Sequence, residues 1–241
     1  MESRWRTLVK SISWKASAFF NLTALTFYQT GSIKKALGTS AVYQLFSFVL
    51  YNLHERAWTM ISWGKKKGLF IQMTGLSGSG KSTIAQEVAN ILRKKNYNVE
   101  VIDGDYYRQN LCKDLGFSKE DRNENIRRLG FVGNVLSKNG VICLMSAINP
   151  YEDIRKELRQ MGGNVKTVYV KAPLDVLKER DPKGLYHKAL LPDDHPEKIK
   201  NFTGISDPFD SPLVCDLTID TEHDTIEQSA KKLYKFIMKN T

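Results

Sequence analysis

The chain has 241 residues, 41% hydrophobic and 26% charged, a composition ordinary for a folded protein and long enough for one domain with a smaller appendage. Its formal net charge of +10 is unevenly spread: residues 1–67 hold ten basic side chains against two acidic ones, or +8, and the remainder holds 26 against 24, or +2. A near-neutral body speaks against a nucleic-acid partner, and a basic leading segment suits an anionic membrane surface. Cys112, Cys143 and Cys215 are far apart and lack metal-ligand spacing, so they read as reduced thiols of a cytosolic compartment; four scattered histidines suggest no histidine metal site.

Residues 1–64 read as a helical hairpin. Ala16 to Tyr28 and Ala36 to Leu53 are largely apolar, with a turn expected over Gly31-Ser32-Ile33-Lys34-Lys35. Both stretches fall short of the ~20 apolar residues of a spanning helix, and Asn21 and Gln44 interrupt them. Trp5, Lys10, Trp14 and Lys15 come before, and Arg56, Trp58, Trp63 and Lys65 to Lys67 come after. Flanking tryptophans and lysines are the anchors of membrane helices. A two-helix membrane hairpin with both ends cytosolic is the expected form, although Lys34 and Lys35 weaken the charge asymmetry; a soluble hairpin packed on the next domain is the alternative. Two apolar stretches without a small-residue cleavage site argue against a signal peptide. The blocks Lys10-Ser11-Ile12-Ser13-Trp14, Thr30-Gly31-Ser32 and Tyr51-Asn52-Leu53-His54-Glu55-Arg56-Ala57-Trp58 resemble a small family of two-helix membrane domains of unknown function. That resemblance carries no chemistry. Residues 65–68 read as a linker.

Leu69 to Thr74 is an apolar run suited to a buried strand, and Gly75-Leu76-Ser77-Gly78-Ser79-Gly80-Lys81-Ser82 follows it. This is the G-x-x-x-x-G-K-[ST] phosphate loop: glycines let backbone N–H groups converge on a polyphosphate, Lys81 meets the β/γ-phosphates, and the Ser82 hydroxyl reaches Mg²⁺. Ile84, Val88, Ile91 and Leu92 then predict a helix to Lys95, whose N-terminus favours anions. Asn98 to Asp103 is a second strand ending in an acid, with Asp105 two residues on. Such carboxylates hold Mg²⁺ or accept a proton from an attacking hydroxyl, and an Asx turn is the structural alternative. Ser118-Lys119-Glu120-Asp121 opens a capped helix, on which Arg127 and Arg128 are either an anion clamp or a solvated face. Strands follow at Val141 to Ala147, Val165 to Val170 and Leu217 to Asp220, and a closing helix at Thr225 to Lys239 directs Ile226, Ala230, Leu233 and Ile237 inward. Between them, residues 181–212 hold seven Pro or Gly residues and Lys183, Lys188, Lys198 and Lys200, the composition of an irregular functional lid. The alternation predicts an α/β domain over 69–241, a parallel sheet covered by helices on both faces.

Several blocks make residues 69–240 resemble the adenylylsulfate kinase (APS kinase) family. Beyond the phosphate loop through Thr83 these are Asp103-Gly104-Asp105, Asp114-Leu115-Gly116-Phe117-Ser118, Asp121-Arg122-Asn123-Glu124-Asn125-Ile126-Arg127-Arg128, Asp181-Pro182-Lys183-Gly184-Leu185-Tyr186 and Ile199-Lys200-Asn201-Phe202-Thr203-Gly204-Ile205. The resemblance implies a P-loop kinase that transfers the ATP γ-phosphoryl group to the 3′-hydroxyl of APS, giving PAPS and ADP. It implies that Gly75, Ser77, Gly78, Ser79, Gly80, Lys81, Ser82 and Thr83 hold ATP, with Arg180 and the lid over its base and phosphates. Ser82 and Asp103 would hold Mg²⁺; Lys81, Asp103 and Asp105 would be catalytic, one of the two acids being the base. Phe117 and Phe202 would sandwich the APS adenine, and Arg108, Arg122, Asn125, Ile148 and Lys200 would contact APS.

The chain departs from the family pattern at Asn149, where some relatives carry a phosphorylatable serine, at Glu152, which replaces an arginine, and in the lid at Lys188-Ala189-Leu190-Leu191-Pro192, where an arginine is missing. These departures keep open a kinase for another nucleotide-linked or small hydroxyl acceptor; a non-catalytic nucleotide-binding regulator is disfavoured by the retained Lys81, Asp103 and Asp105. The expected setting is a cytoplasmic catalytic domain attached through residues 1–64 to the inner (cytoplasmic) membrane, with no nucleic-acid partner; a homodimer is compatible with the sequence.

Overall fold

The computed structural model describes residues 4–60 and 67–241 and divides into an N-terminal unit ending at Lys65 and a C-terminal unit beginning at Lys66. Trp63, Lys65 and Lys66, and with them half of the expected linker, lie outside the described residues, as do the side chains of Trp5, Lys10 and Trp58.

The N-terminal unit consists of α1 (Arg4–Thr30) and α2 (Ile33–Met60). The turn is tighter than the sequence suggests: only Gly31, at φ 63°, and Ser32 lie between the helices, and Lys34 and Lys35 already belong to α2. Small and polar residues form the seam. Ala36 and Ser40 are buried, Thr23 Oγ1 lies 2.9 Å from Ser40 Oγ, and Gln44 Nε2 donates to Lys15 O at 3.2 Å. The large apolar side chains point outward instead: Trp14, Phe20, Tyr28, Val42, Leu45 and Phe46 are between 64% and 86% exposed. A water-soluble hairpin buries its apolar stripe in the seam. Here the pattern is reversed, as in helices packed within lipid, where small residues admit close approach and polar side chains bond across the interface. None of the described helices is both long and apolar enough to cross a membrane, so the expected spanning hairpin is not supported by hydropathy. The residues that lower the mean hydropathy include Thr23, Ser40 and Gln44, which face the seam.

The C-terminal unit is built on a five-stranded sheet in the order β2-β3-β1-β4-β5, every neighbouring pair parallel. The strands are β1 (Leu69–Thr74), β2 (Val99–Asp103), β3 (Ile142–Ser146), β4 (Val165–Lys171) and β5 (Leu217–Asp220). β1 is central and buried along its whole length, which explains its unbroken apolar run. Its alternate residues feed two cores. Leu69, Ile71 and Met73 pack with α3 (Lys81–Lys94) and α9 (Ile226–Asn240) on one face; Phe70 packs with α5 (Lys119–Lys138) and α6 (Glu152–Gln160) on the other. In α9, Ala230, Leu233 and Ile237 point inward as expected, but Ile226 is 55% exposed in the first turn, outside the packed stretch, and Ser229 is buried.

Three further helices, α4 (Gly104–Leu111), α7 (Leu174–Arg180) and α8 (Leu185–Ala189), complete the domain. α8 lies within the expected irregular lid, which is anchored by its own small core of Leu177, Tyr186, Ala189 and Phe202. The sheet's strand order reverses at β1, between β3 and β4, and the register sets Asp103 of β2 beside Ser146 of β3 and Ser146 beside Met73 of β1. The C-terminal ends of these three strands therefore converge, as ligand crevices in open parallel sheets require.

Candidate active site

The phosphate loop leaves β1 at Gly75, where a Cβ would stand 2.3 Å from Val170 O of β4; only glycine allows that approach. Gly80, at φ 91°, is the N-cap of α3, so the loop delivers Lys81 and Ser82 to the first turn of a helix. Lys81 is 8% exposed, and its Nζ donates to Gly75 O at 2.8 Å, Leu76 O at 2.7 Å and Ser79 Oγ at 3.3 Å. Burial pulls its ammonium down to about 7; Asp105 and Asp103 oppose that fall and Lys183 adds to it.

Asp103 ends β2 and caps α4. Its Oδ1 accepts from Asp105 N and Tyr106 N at 3.1 and 3.2 Å, and its Oδ2 accepts from Ser82 Oγ at 2.7 Å. The Ser146 hydroxyl is 2.9 Å from that of Ser82. Thus one carboxylate oxygen of Asp103 makes the Asx turn, and the other is turned to the phosphate-loop serine. Asp105, in the first turn of α4, carries no such backbone duty; its carboxylate meets Lys183 Nζ of the lid at 2.5 Å.

These groups line a cavity of about 480 Å³ that also takes in Phe117, Phe202, Arg108, Arg122, Asn125, Ile148 and Lys200. Phe117 is 62% exposed, with the Arg108 guanidinium 4.2 Å from its ring centre. Phe202 is buried and meets Tyr186 edge-on at 5.0 Å. Asn125 is 7% exposed, and its Oδ1 has no hydrogen-bond partner within the protein. A buried acceptor lining a cavity without a partner is one that a ligand can satisfy.

A family model described as adenylylsulphate kinase matches residues 67–220. The chain belongs to the adenylylsulfate kinase family. It is 52% identical to the adenylyl-sulfate kinase of Rippkaea orientalis, over 71% of this chain and 92% of that one. With that of Halothermothrix orenii it shares 48%, over 71% and 90%. Among solved structures, the Mycobacterium tuberculosis APS kinase in complex with AMPPNP and APS matches with 37% identity and a TM-score of 0.67, over 71% of this chain and 98% of that chain. Residues 8–59 match a second model, described as "Predicted membrane protein (DUF2061)". The parallel sheet with helices on both faces is thus that of a P-loop kinase, as the sequence led one to expect.

Not every residue singled out for an adenylylsulfate kinase site reaches the cavity. Ser77, Gly78, Gly80, Lys81, Ser82 and Thr83 line it; Gly75 and Ser79 form the back of the loop. Arg180 is also outside the lining, its Nη2 donating to Thr221 O at 2.6 Å, while Thr221 Oγ1 donates to Ser79 O at 3.1 Å. Arg127 and Arg128 do not face the cavity. Arg127 pairs with Glu124 and Glu157, and Arg128 with Glu124 and Asp114. Glu152 does not line it either: its carboxylate holds Arg155 at 2.9 Å and Arg159 at 2.5 Å. Asn149, by contrast, does line the cavity, but its side chain is turned inward: at φ 48° it is buried and donates from Nδ2 to Gln72 Oε1 at 3.1 Å, fixing the strand-end loop to the sheet. Sequence reasoning passed over Ser146, hidden at the end of an apolar strand, and its neighbour in register, Asp103, was the available signal.

Proposed function

We propose that this kinase transfers the γ-phosphoryl group of Mg-ATP to the 3′-hydroxyl of adenylyl sulfate, giving PAPS and ADP. One observation carries the reading: a single cavity brings together a phosphate loop, two carboxylates and an aromatic pair suited to a base. Ser82 Oγ, Asp103 Oδ2 and Ser146 Oγ form an all-oxygen set that suits Mg²⁺, which when bound offsets charge on the transferring group. Gly75 through Thr83 cradle the ATP phosphates, Lys81 turning its ammonium from the loop carbonyls to the phosphate oxygens, and Arg180 covers the ATP base from outside the cavity. Phe117 and Phe202 stack on the APS adenine; Arg108, Arg122, Asn125, Ile148 and Lys200 make the remaining contacts to APS. Both oxygens of Asp103 are engaged, so Asp105 is the group that takes the proton of the attacking hydroxyl.

Glu152 engages arginines outside the cavity, so its replacement of the family arginine places no negative charge in the cavity lining, and the case for a different acceptor weakens. The test is formation of PAPS and ADP by the full-length chain in detergent with Mg-ATP and APS. Asp105→Asn is expected to lower kcat by about 10²–10⁴-fold, the range for a lost general base. ADP formation that APS does not stimulate, but another hydroxyl compound does, would move the assignment to that acceptor.

The N-terminal hairpin is assigned to a membrane, with the kinase domain on the cytoplasmic side of the inner membrane. The outward apolar side chains, the polar seam and the +8 of residues 1–67 support this reading.

A further inference from the structure

We propose that Asp207, backed by Tyr151, is a positioning residue for the acceptor: acting through Arg122, it sets the gap between Phe117 and Phe202. The inference rests on the assignment of those two rings to the adenine of APS.

Arg122 projects from α5 and ties together the chain segments that carry both rings. Its Nε donates to Phe117 O at 3.0 Å, its Nη1 to Thr203 Oγ1 at 2.6 Å, and its Nη2 to Asn201 O. The first bond holds the backbone of one ring, and the other two hold the residues on either side of the second. A guanidinium is planar and rigid, so these anchor points are kept at a fixed separation.

Asp207 holds that strut and also shapes the loop bearing Phe202. Its N–H donates to Phe202 O at 3.1 Å, its own carbonyl accepts from Gly204 N at 2.8 Å, and its carboxylate lies 4.0 Å from Arg122 Nε. The Tyr151 hydroxyl donates to that carboxylate, at 2.8 and 3.0 Å from its two oxygens. Solvent hardly reaches the group: the Arg122 and Asp207 side chains are 12% and 17% exposed, and Tyr151 is 2% exposed. That burial separates the pair from exposed ion pairs, which hold nothing in place. Neither Tyr151 nor Asp207 lines the cavity, so each acts on the acceptor through Arg122 and the two rings it ties together. A gap of about 0.5–1 Å forfeits roughly a quarter to a half of a dispersion contact, so stacking on a planar base is sensitive to this spacing.

The experiment compares Tyr151→Phe, Asp207→Asn and Arg122→Lys with the unaltered full-length chain in detergent, measuring kcat, KM for APS, KM for ATP and inhibition by AMP. AMP keeps the adenine and lacks the sulfate. Tyr151→Phe is expected to raise KM for APS about three- to tenfold, the equivalent of one lost hydrogen bond, with kcat and KM for ATP unmoved. Asp207→Asn and Arg122→Lys should exceed that, and AMP should weaken by the same factor as APS in all three. Unchanged KM for APS in Tyr151→Phe and Asp207→Asn overturns the inference. So does a loss for APS that AMP does not share, which would place Arg122 on the sulfate, and so does an equal rise in KM for ATP, which would mean general loosening. An unaltered chain that does not turn over APS overturns the assignment of function itself; an active chain with unmoved variants overturns this inference alone.

Discussion

Lys81 donates to two carbonyls and a hydroxyl of its own loop, so the free protein keeps its charge turned away from where phosphate oxygens must lie. Burial draws its pKa down from 10.5 to about 7, and below that value it is an ammonium. Polyphosphate favours the ammonium, so ATP binding above that value must take up a proton, and affinity for Mg-ATP should fall as pH rises past it while staying level below it. Calorimetry at about pH 8 in buffers of different ionisation enthalpy checks this; absence of proton uptake would mean that Lys81 is already an ammonium in the free protein. Lys81→Ala should lower turnover by two or more orders of magnitude, at ~2.7–4 kcal/mol for a lost electrostatic contact. Turnover within about tenfold of the unaltered chain would remove Lys81 from the transfer step. Phe202→Ala should raise KM for APS far more than KM for ATP, by about five- to hundredfold, the range of one base–aromatic stack. Because Phe202 also packs against Tyr186, a thermal melt separates the lost stack from a loosened lid.

Helix α5 shows what spacing reveals and what it hides. Its Ser118 cap is legible, and the structure bears it out: Asp121 N donates to Ser118 Oγ at 3.1 Å. Spacing sets Arg122 beside Asn125 and Asn125 beside Arg128, each three residues apart, so periodicity alone does not say which of these side chains meets the cavity. Only the packing of Ile126 and Leu129 onto the sheet decides that. Asn125→Ala should therefore raise KM for APS, whereas Arg127→Ala and Arg128→Ala should leave it within about twofold, because exposed ion pairs contribute little. A large rise in KM for either arginine variant would restore the anion clamp. The strands, α3, α5 and α9 were readable because their apolar periods are long and capped or loop-bounded. α4, α6, α7 and α8, of 8, 9, 7 and 5 residues, were not, since helices this short draw their stability from tertiary contacts and leave a weak local pattern. The lid shows the same limit. Its prolines and glycines announced irregular chain, while the core that anchors it depends on Leu177 of α7 meeting Tyr186 and Phe202 from further along the sequence.

At the scale of the whole molecule the chain joins a near-neutral kinase domain to a hairpin with apolar residues outside and polar residues within. Hydropathy averages over both faces of a helix, so α1 and α2 score as too polar to span even though Thr23, Ser40 and Gln44 look into the seam. Full-length protein should pellet with membranes, whereas residues 65–241 alone should be soluble and active, since the catalytic motifs all follow Gly68 and most of the positive charge precedes it. Washing the pellet distinguishes the modes of attachment. Exposed ionic contacts are screened beyond ~3 Å at 1 M salt, so a protein held by Lys34, Lys35 and its other cations alone is released into the wash. A hairpin whose Phe20, Val42, Leu45 and Phe46 sit among acyl chains resists salt and comes off only in detergent. Release by salt would reduce residues 1–64 to a peripheral anchor. Full-length protein that never pellets would mean that the outward apolar surface is covered by protein, and size-exclusion chromatography of that soluble form would then show whether a second copy covers it.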